Sequence, residues 1–221
     1  METWSEQVGN IEVMYGQYQN GGGPFYNKFN KLILSEYFGV DALEICSGPG
    51  FIGYDLLESG IASHVDLADK NPAVEKYIKI TNEKSGHRTR FYESDALDSV
   101  PEYEYSLIIG NPPHLQTEEQ YKLLEDDGFV DSSWPKEKLE YERRILLDQD
   151  FSFHTKFFSK VDNYLKVGGS IVLYENADFI KPEELINLAS NKYDHSIFRS
   201  IFRNEDTKAD FYALKSTKFK K

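Results

Sequence analysis

The sequence predicts an α/β protein with a doubly wound, mostly parallel sheet of seven strands, closed by an antiparallel strand. Three observations lead to this fold class. Short apolar runs alternate with helical patterns along the 221-residue chain. A glycine-rich turn follows the first of these runs. Two apolar runs near the C-terminus flank a polar turn, as in an antiparallel pair. We expect residues 1–221 to form one domain.

Each expected strand is a short apolar run bounded by turn-forming residues. The parallel strands are expected at 42–46, 64–68, 89–92, 106–110 and 170–174, and the closing pair at 196–202 and 208–215. Apolar side chains recur at helical spacing over residues 151–165, which predicts a long helix before the fifth strand. The Lys-Val-Gly-Gly run at 166–169 is expected to end that helix, because glycine is common at helix C-caps.

Three polar residues near this helix are expected to be structural. His154 falls on the apolar side of the helical pattern, so we expect it to pack in the core. Asp148 and Asp150 precede the helix, where acidic side chains interact favourably with the helix dipole. No chemistry is assigned to these three residues.

A glycine-rich turn follows the expected strand at 42–46. Gly48, Gly50 and Gly53 spell Gly-x-Gly-x-x-Gly before a helical pattern, where glycines permit a tight turn and close approach of a ligand. The next strand leads to Asp69, 19 residues after Gly50, whose carboxylate can accept hydrogen bonds from both hydroxyls of a ribose. Strand, turn, helix, strand and acid together predict a nucleoside-binding half-fold.

The fourth expected strand runs directly into Asn111, Pro112, Pro113 and His114. The prolines fix their own φ and bias the preceding residue to extended geometry, so the Asn111 side chain is aimed in advance. The Asn111 oxygen and the Pro112 carbonyl can then accept both hydrogens of an amide or amine nitrogen. An ordinary turn between strand and loop is the alternative, since Asn-Pro commonly begins turns.

Taken together, these motifs resemble those of the Rossmann-like (class I) S-adenosylmethionine-dependent methyltransferases over about residues 25–215. Glu44 with the glycine turn resembles the first motif, Asp69 the end of the second strand, and Asp95 the end of the third. The Asn-Pro-Pro-His run resembles the acceptor motif of enzymes that methylate amide or exocyclic amine nitrogens. Two residues depart from that pattern, Cys46 at a usual glycine and His114 at a usual aromatic.

The resemblance implies S-adenosyl-L-methionine as the cofactor, no metal, and a role for each matching residue. Gly48 and Gly50 would approach the methionine end of the cofactor, Glu44 its ammonium group, Asp69 the ribose and Asp95 the adenine amine, while Asn111 and Pro112 would hold the acceptor nitrogen. His114 would either stack on a planar acceptor or take up the proton released after transfer. Cys46 is expected to pack and is assigned no catalysis.

Two other function classes remain open. A nicotinamide-dependent oxidoreductase would also use the glycine turn and Asp69, although no motif for a hydride acceptor is found. A noncatalytic cofactor-binding module would tolerate the loss of Asn111. The single cysteine excludes an intramolecular disulfide and a zinc site made of cysteines. Since no apolar run approaches the ~20 residues of a membrane span, we expect a cytoplasmic protein with no membrane partner.

Two segments outside the motifs are expected to form walls of the site. Residues 1–30 contain a Gly-rich hinge and are expected to be a lid, with a mobile tail as the alternative. Residues 115–142 form a long excursion, expected to be an acceptor-side insertion, with nine acidic residues against three lysines. This charge of −6, in a chain of net charge −12, favours a protein side chain or small amine as acceptor. An RNA or DNA exocyclic amine is the alternative, because the Asn-Pro-Pro motif serves both kinds of acceptor.

Overall fold

The computed structural model describes residues 3–16, 23–126, 130–189, 191–203 and 210–219. The strands in these residues are β1 (Thr3–Val8), β2 (Ile11–Gly16), β3 (Val40–Ile45), β4 (Ala62–Asp69), β5 (Arg90–Glu93), β6 (Tyr105–Gly110), β7 (Leu165–Asn176), β8 (Tyr193–Arg203) and β9 (Asp210–Lys218). The α-helices are α1 (Asn27–Ile33), α2 (Phe51–Glu58), α3 (Glu75–Ser85), α4 (Glu118–Asp126), α5 (Lys136–Leu146), α6 (Ser152–Lys160) and α7 (Pro182–Leu188). Short 3₁₀ turns connect several of them.

The main sheet has seven strands in the order β5-β4-β3-β6-β7-β9-β8. Strands β5, β4, β3, β6 and β7 are parallel to one another, and β9 is antiparallel to both β7 and β8. The predicted fold class is therefore confirmed. The chain order reverses between β3 and β6, and in open α/β sheets ligands bind outside the carboxyl ends of the strands at such a point.

Adjacent residues of the central strands point to opposite faces of the sheet, and each face is covered by its own layer. Ala42, with alternate residues of its neighbours, packs against α1, α2 and α3. Leu43, one residue further along, packs against Phe157 of α6 and the residues around it. Because both faces of the parallel strands are covered, the strands have near-continuous apolar sequences.

The prediction for residues 166–169 is wrong. This run does not end a helix, because α6 ends at Lys160 and a 3₁₀ turn at Val161–Asn163 reverses the chain. Residues 166–169 lie inside β7, where the pairing with β6 shifts register and Gly168 has a φ of +80°. A Cβ at Gly169 would lie only 2.9 Å from the carbonyl oxygen of Ser106. The glycines are therefore needed for a strand irregularity and not for a helix cap.

Strands β1 and β2 form a hairpin that the sequence analysis did not predict. The hairpin buries Ile11 and Val13 in the core on the α2 and α3 side, and the Met14 N–H donates to Thr81 Oγ1 on α3 (2.9 Å). The expected lid at 1–30 thus includes a hairpin packed on two helices. Of the hinge expected at residues 20–24, residues 20–22 lie outside the described residues, and Gly23 and Pro24 begin a 3₁₀ turn.

The close pairing of β3 and β6 brings several strand ends together. Gly110, the last residue of β6, pairs with Ile45, the last residue of β3. A Cβ at position 110 would lie 2.5 Å from the Ile45 carbonyl oxygen, which is closer than atoms tolerate. A glycine is required here because the neighbouring backbone occupies the space that a side chain would need. The residues after both strands therefore begin side by side.

Replacement of Gly110 by alanine is expected to destabilise the fold by about 2 kcal/mol or more, because the backbone of β3 must shift. Denaturant unfolding of the variant measures this change. Gly39→Ala is the matched control, since its Cβ would meet nothing within 4 Å but its φ is +63°. The control should lose only about 1 kcal/mol. Equal losses in the two variants would contradict a close approach at Gly110.

Candidate active site

A cavity of about 500 Å³ opens at the carboxyl edge of the sheet, where the chain order reverses. Its wall is formed by the turn after β3, the ends of β4, β5 and β6, helix α5 and the start of α6. The sequence-predicted site residues that line it are Gly48, Asp69, Asp95 and Asn111. Glu44, Gly50, Pro112 and His114 are not among the lining residues. Four of the eight predicted site residues therefore line the cavity, and the other four do not.

Asp69 ends β4 and is half-buried beside the glycine turn. Its Oδ2 accepts a hydrogen bond from the Gly48 N–H (2.7 Å), and its Oδ1 accepts one from the Asn71 N–H (2.8 Å). Burial raises the pKa of Asp69, while these bonds and the charge of Arg144 act in the opposite direction. Since a carboxylate has about four acceptor sites, two remain for a ligand in the cavity.

The turn after β3 adopts left-handed backbone at successive positions. Cys46 has a φ of +50°, Gly48 +49° and Gly50 +92°. Glycine adopts this geometry without steric cost, which is why a cysteine at position 46 departs from the usual pattern. Cys46 lines the cavity, so it is not simply a packing residue. Its thiol pKa is raised, first by burial and then by the charge of Asp69 and other acids.

Gly48 and Gly50 serve different purposes in this turn. A Cβ at Gly48 would meet nothing within 4 Å, so the chain presents open backbone to the cavity there. A Cβ at Gly50 would lie 2.9 Å from Leu67 Cδ1. Gly50 is also the left-handed residue immediately before α2. Gly50 is thus required for helix packing, and of the two glycines only Gly48 faces the cavity.

Glu44 lies in β3 beneath the turn and is 2% exposed. Its Oε2 accepts a hydrogen bond from the Gly53 N–H (2.7 Å), so the carboxyl satisfies a free amide in the first turn of α2. Burial raises the pKa of Glu44 to about 8, against the effect of backbone N–H groups of α2. The structure brings this carboxyl to the base of the glycine turn and not to the cavity surface.

Asp95 lines the cavity, but its carboxylate already has a cationic partner. Oδ2 accepts a hydrogen bond from Lys156 Nζ of α6 (2.8 Å), and Lys70 Nζ lies 3.5 Å away. Lys156 is shared with Asp98. Asp95 is therefore held by lysines at the rim of the cavity, with 41% of its side chain exposed.

Asn111 lines the cavity directly after β6, and its Oδ1 is buried with no hydrogen-bond partner among the described residues. The Asn111 side chain also interacts with the buried hydroxyl of Tyr26. Burial raises the pKa of Tyr26, the charge of Glu175 raises it further, and the Asn111 hydrogen bond lowers it. An unpaired buried acceptor costs about 1–3 kcal/mol, so this amide is costly unless a ligand donates to it. Pro112 is buried and Pro113 faces the cavity.

His114 is buried, with 7% of its surface exposed, and does not line the cavity. Its Nδ1 lies 3.0 Å from Glu175 Oε2 on β7, and its ring packs edge-on against Phe211. Glu175 Oε1 lies 2.9 Å from Nε2 of His154, whose Nδ1 lies 2.6 Å from Asp148 Oδ2. His114 is therefore one end of a buried network of histidines and carboxylates, and Asp148 at the other end lines the cavity.

No pattern in the sequence predicted this network. His154 is fully buried, as expected for a core residue, but its ring is bonded to two carboxylates. Asp148 accepts from the Phe153 N–H at the start of α6, as a helix-capping residue does, and it also pairs with His154. The six-residue spacing of Asp148 and His154 was visible in the sequence, whereas nothing local indicated the contribution of Glu175.

The described residues of the insertion at 115–142 include α4, residues 130–135 and most of α5, around a small apolar cluster of their own. Helix α5 lines the cavity with Glu140, Tyr141, Arg143, Arg144 and Ile145. Two of these residues are arginines just beyond the expected boundary at 142. The −6 charge counted for the segment therefore overstates how acidic this wall of the cavity is.

Across the described ranges, no group of three or more His, Cys, Asp or Glu side chains is placed to hold a metal ion. Within the same ranges, no helix combines the length and the apolar composition needed to cross a bilayer.

Comparisons with known proteins agree with the fold. The family model described as "Methyltransferase small domain" matches residues 30–131, which is just under half of the chain. No curated protein matches the chain. A methyltransferase from Pyrococcus furiosus has the same fold with 15% sequence identity and a TM-score of 0.63, over 96% of this chain and 91% of that one.

Two longer proteins share the fold as well. The 16S rRNA N2 G1207 methyltransferase of Thermus thermophilus, solved with AdoMet and guanosine, has 14% identity and a TM-score of 0.59 over 98% of this chain. The tRNA m1G37 methyltransferase of Methanocaldococcus jannaschii has 14% identity and a TM-score of 0.55 over 99% of this chain. The chain spans 50% and 57% of the lengths of these two proteins. These likenesses show that the chain has a methyltransferase fold.

Glu44→Gln is expected to change how stability depends on pH, because the glutamine oxygen can still accept from Gly53 but carries no charge. A carboxyl whose pKa rises from 4.5 to about 8 on folding stabilises the protein fully below pH 4.5 and loses this contribution as the pH rises through 8. The free energy of unfolding of the parent should therefore fall relative to the variant between these values, by on the order of 2–4 kcal/mol. Parallel stability curves from urea unfolding at several pH values would show that Glu44 is not a buried, strongly shifted carboxyl.

Proposed function

We propose that this protein is an S-adenosylmethionine-dependent methyltransferase that transfers a methyl group to an amide or amine nitrogen of a protein side chain or small molecule. The observation that carries the proposal is the juxtaposition of Asp69 and Asn111 on one cavity wall, at the ends of strands on either side of β3. One supplies a carboxylate suited to a ribose, and the other an amide suited to an N–H donor.

The residues present fit the cofactor on three counts. Gly48 offers backbone to the cavity with no Cβ contact, so a ligand can approach the chain closely. Asp69 is fixed by two backbone N–H groups and keeps free lone pairs. Asn111 has a buried oxygen without a partner among the described residues. The turn would thus receive the methionine end of the cofactor, Asp69 the ribose hydroxyls and Asn111 the acceptor nitrogen.

When bound, the cofactor would supply an activated methyl group on a positively charged sulfur, which would leave as a neutral thioether. The protein's residues align the nucleophile and exclude water. Asn111 would accept an N–H hydrogen from the acceptor and so raise the electron density on its nitrogen. The prolines that follow would hold this amide in place before the acceptor arrives.

Glu44 and Asp95 would act less directly than the resemblance implies. Glu44 would hold the glycine turn and the start of α2 in place. An ammonium group bound above the turn would favour the ionised form of this carboxyl. Asp95 would accept a hydrogen bond from the adenine amine either at Oδ2, which it would share with Lys156, or at Oδ1. Cofactor affinity should therefore depend more on Asp69 than on either of these acids.

RNA is the second candidate acceptor, and two observations favour keeping it. Arg143 and Arg144 line the cavity beside Lys70 and Lys156, so a phosphate would meet cations at its rim. Two proteins with the same fold methylate rRNA and tRNA by their descriptions. Against this, the chain carries a net charge of −12.

The match to a methyltransferase family model argues against a nicotinamide oxidoreductase. A measurement of turnover would distinguish an enzyme from a noncatalytic cofactor-binding module.

Asp69→Ala should weaken binding of S-adenosylmethionine by roughly 30-fold or more, because two charge-assisted hydrogen bonds to the ribose are lost. Isothermal calorimetry on the folded variant measures this loss. Asp194→Ala is the control, because Asp194 is an exposed acid on β8 and does not line the cavity. Binding as tight as in the parent would show that Asp69 is not the ribose ligand.

Asn111→Ala should reduce turnover at least about 100-fold and leave cofactor affinity near that of the parent, since Asn111 would contact the acceptor and not the cofactor. Turnover is measured with methyl-labelled S-adenosylmethionine and a cell extract separated into protein, RNA and small-molecule fractions. Asn163→Ala, at an exposed position, is the control.

The same assay distinguishes the acceptor classes. We expect label in the protein or small-molecule fraction that depends on Asn111. Label confined to the RNA fraction would overturn the argument from acidity and favour the second candidate. Full turnover by Asn111→Ala would remove this residue from the acceptor site.

A further inference from the structure

A buried network of four side chains connects the wall of the cavity with the core. His154 has no exposed surface, and its ring bridges Asp148 Oδ2 (2.6 Å) and Glu175 Oε1 (2.9 Å). The other oxygen of Glu175 lies 3.0 Å from Nδ1 of His114. Glu175 is itself fully buried. The network joins α6, β7 and the segment after β6.

The geometry sets the charge of this network. Burial raises the pKa of Asp148 and of Glu175, but the hydrogen bonds and charge of His154 outweigh it, so both pKa values lie below their usual range. Ionised carboxylates only accept hydrogen bonds, so both ring nitrogens of His154 must donate. Burial lowers the pKa of His154, but Glu175 and Asp148 together raise it to about 9. Asp148, His154 and Glu175, which are two carboxylates and one imidazolium, together carry a net charge of −1.

This charge lies next to the cavity. Asp148 lines the cavity, and its N–H donates to the Leu115 carbonyl (2.7 Å), directly after the Asn-Pro-Pro-His run. The field extends to Cys46, which lines the same cavity, since Asp148 and Glu175 are among the acids that raise the pKa of its thiol. Only 1% of the Asp148 side chain is exposed, so we expect it to act on a ligand through its electrostatic field and not through direct contact.

Burying these ions is expensive, which makes a purely structural purpose a poor explanation. The effective cost is several kcal/mol per ion, and well-packed apolar residues commonly stabilise a fold as well as a buried ion pair. A fixed charge beside a site that excludes water acts strongly on charge in the ligand. Glu175 and burial also raise the pKa values of two buried hydroxyls, those of Tyr26 and Tyr212.

We infer that the buried cluster of Asp148, His154 and Glu175, with His114 as a hydrogen-bonding partner of Glu175, is an electrostatic element of the active site, whose net negative charge stabilises positive charge in the cavity. The inference rests on the proposed function, in which positive charge starts on sulfur and ends on the methylated nitrogen. His154 is a positioning residue, which holds Asp148 ionised at the cavity wall. His114 fixes Glu175 and the segment that carries Asn111, and it does not touch the acceptor.

Two cofactor analogues that differ in charge at the reacting position test the inference. Sinefungin carries an ammonium group where the methyl would be, whereas S-adenosylhomocysteine has a neutral sulfur there. Asp148→Asn should weaken sinefungin binding by about 10-fold, the lower end expected for loss of a charge interaction, and change S-adenosylhomocysteine binding by less than about 2-fold. The asparagine oxygen can take the place of Oδ1 and still accept from the Phe153 N–H, which preserves the start of α6. Its NH2 group then replaces Oδ2 and donates to Nδ1 of a neutral His154, so the variant removes the negative charge at the cavity wall.

Asp150→Asn is the matched control. It makes the same change of charge two residues away, at an exposed position that does not line the cavity, and asparagine tolerates the left-handed φ of +55° there. The ratio of the two dissociation constants should stay at the parental value in this variant.

A measurement on the parent protein keeps the inference testable if Asp148→Asn does not fold. Calorimetry at pH 8.5 in buffers of different ionisation enthalpy counts the protons taken up with each analogue. A negative field raises the pKa of the bound amine, so sinefungin should take up more protons than S-adenosylhomocysteine.

The outcomes separate the two proposals. If S-adenosylhomocysteine binds but Asp148→Asn leaves the ratio of the sinefungin and S-adenosylhomocysteine dissociation constants unchanged, the electrostatic inference is overturned and the proposed function stands. Equal proton uptake with the two analogues overturns it in the same way. If neither analogue binds the parent protein, the proposed function fails, and the inference that rests on it fails too.

Discussion

The parallel pairing of β3 with β4 on one side and β6 on the other is the constraint on which the site depends. It aligns Ile45 with Ala68 and with Gly110, so three strands end at nearly the same level. The chain after each strand then supplies one kind of group: open backbone at Gly48, a carboxylate at Asp69 and an amide at Asn111. None of these groups comes from a long side chain that could move away, because each lies within three residues of a paired strand.

The sequence predicted these three groups because each belongs to a local pattern. Glycine spacing, an acid at a strand end and Asn-Pro-Pro are all contained within a few residues, and the strands that carry them are short apolar runs. The start of β7 was predicted less well. The glycines at 168 and 169 are compatible both with the end of a helix and with an irregularity inside a strand, and the sequence does not distinguish the two. The β1–β2 hairpin was missed because its apolar alternation is short and was interpreted as part of a lid.

The buried network could not be predicted, since its parts are far apart in the chain. Glu175 lies 61 residues from His114 and 21 from His154, and in the sequence it follows an apolar strand like any exposed strand end. In the structure Glu175 continues β7 opposite Tyr212 of β9, and its side chain is buried. Buried charges of this kind depend on tertiary structure, and a local pattern that assigns His154 to the core is correct about its burial but not about its partners.

The first helix has a consequence for how the chain folds. Tyr26 stacks on Tyr174 of β7, and the Tyr174 hydroxyl donates to Asn30 of α1, across 144 residues of sequence. During synthesis the N-terminal hairpin and α1 can pack early on α2 and α3, whereas these contacts with β7 cannot form until most of the chain has left the ribosome. Contacts of such long sequence separation close late and slow folding. Until β7 is synthesised, the apolar side chains that take part in these contacts remain exposed to solvent. A nascent chain is most prone to aggregation at this stage.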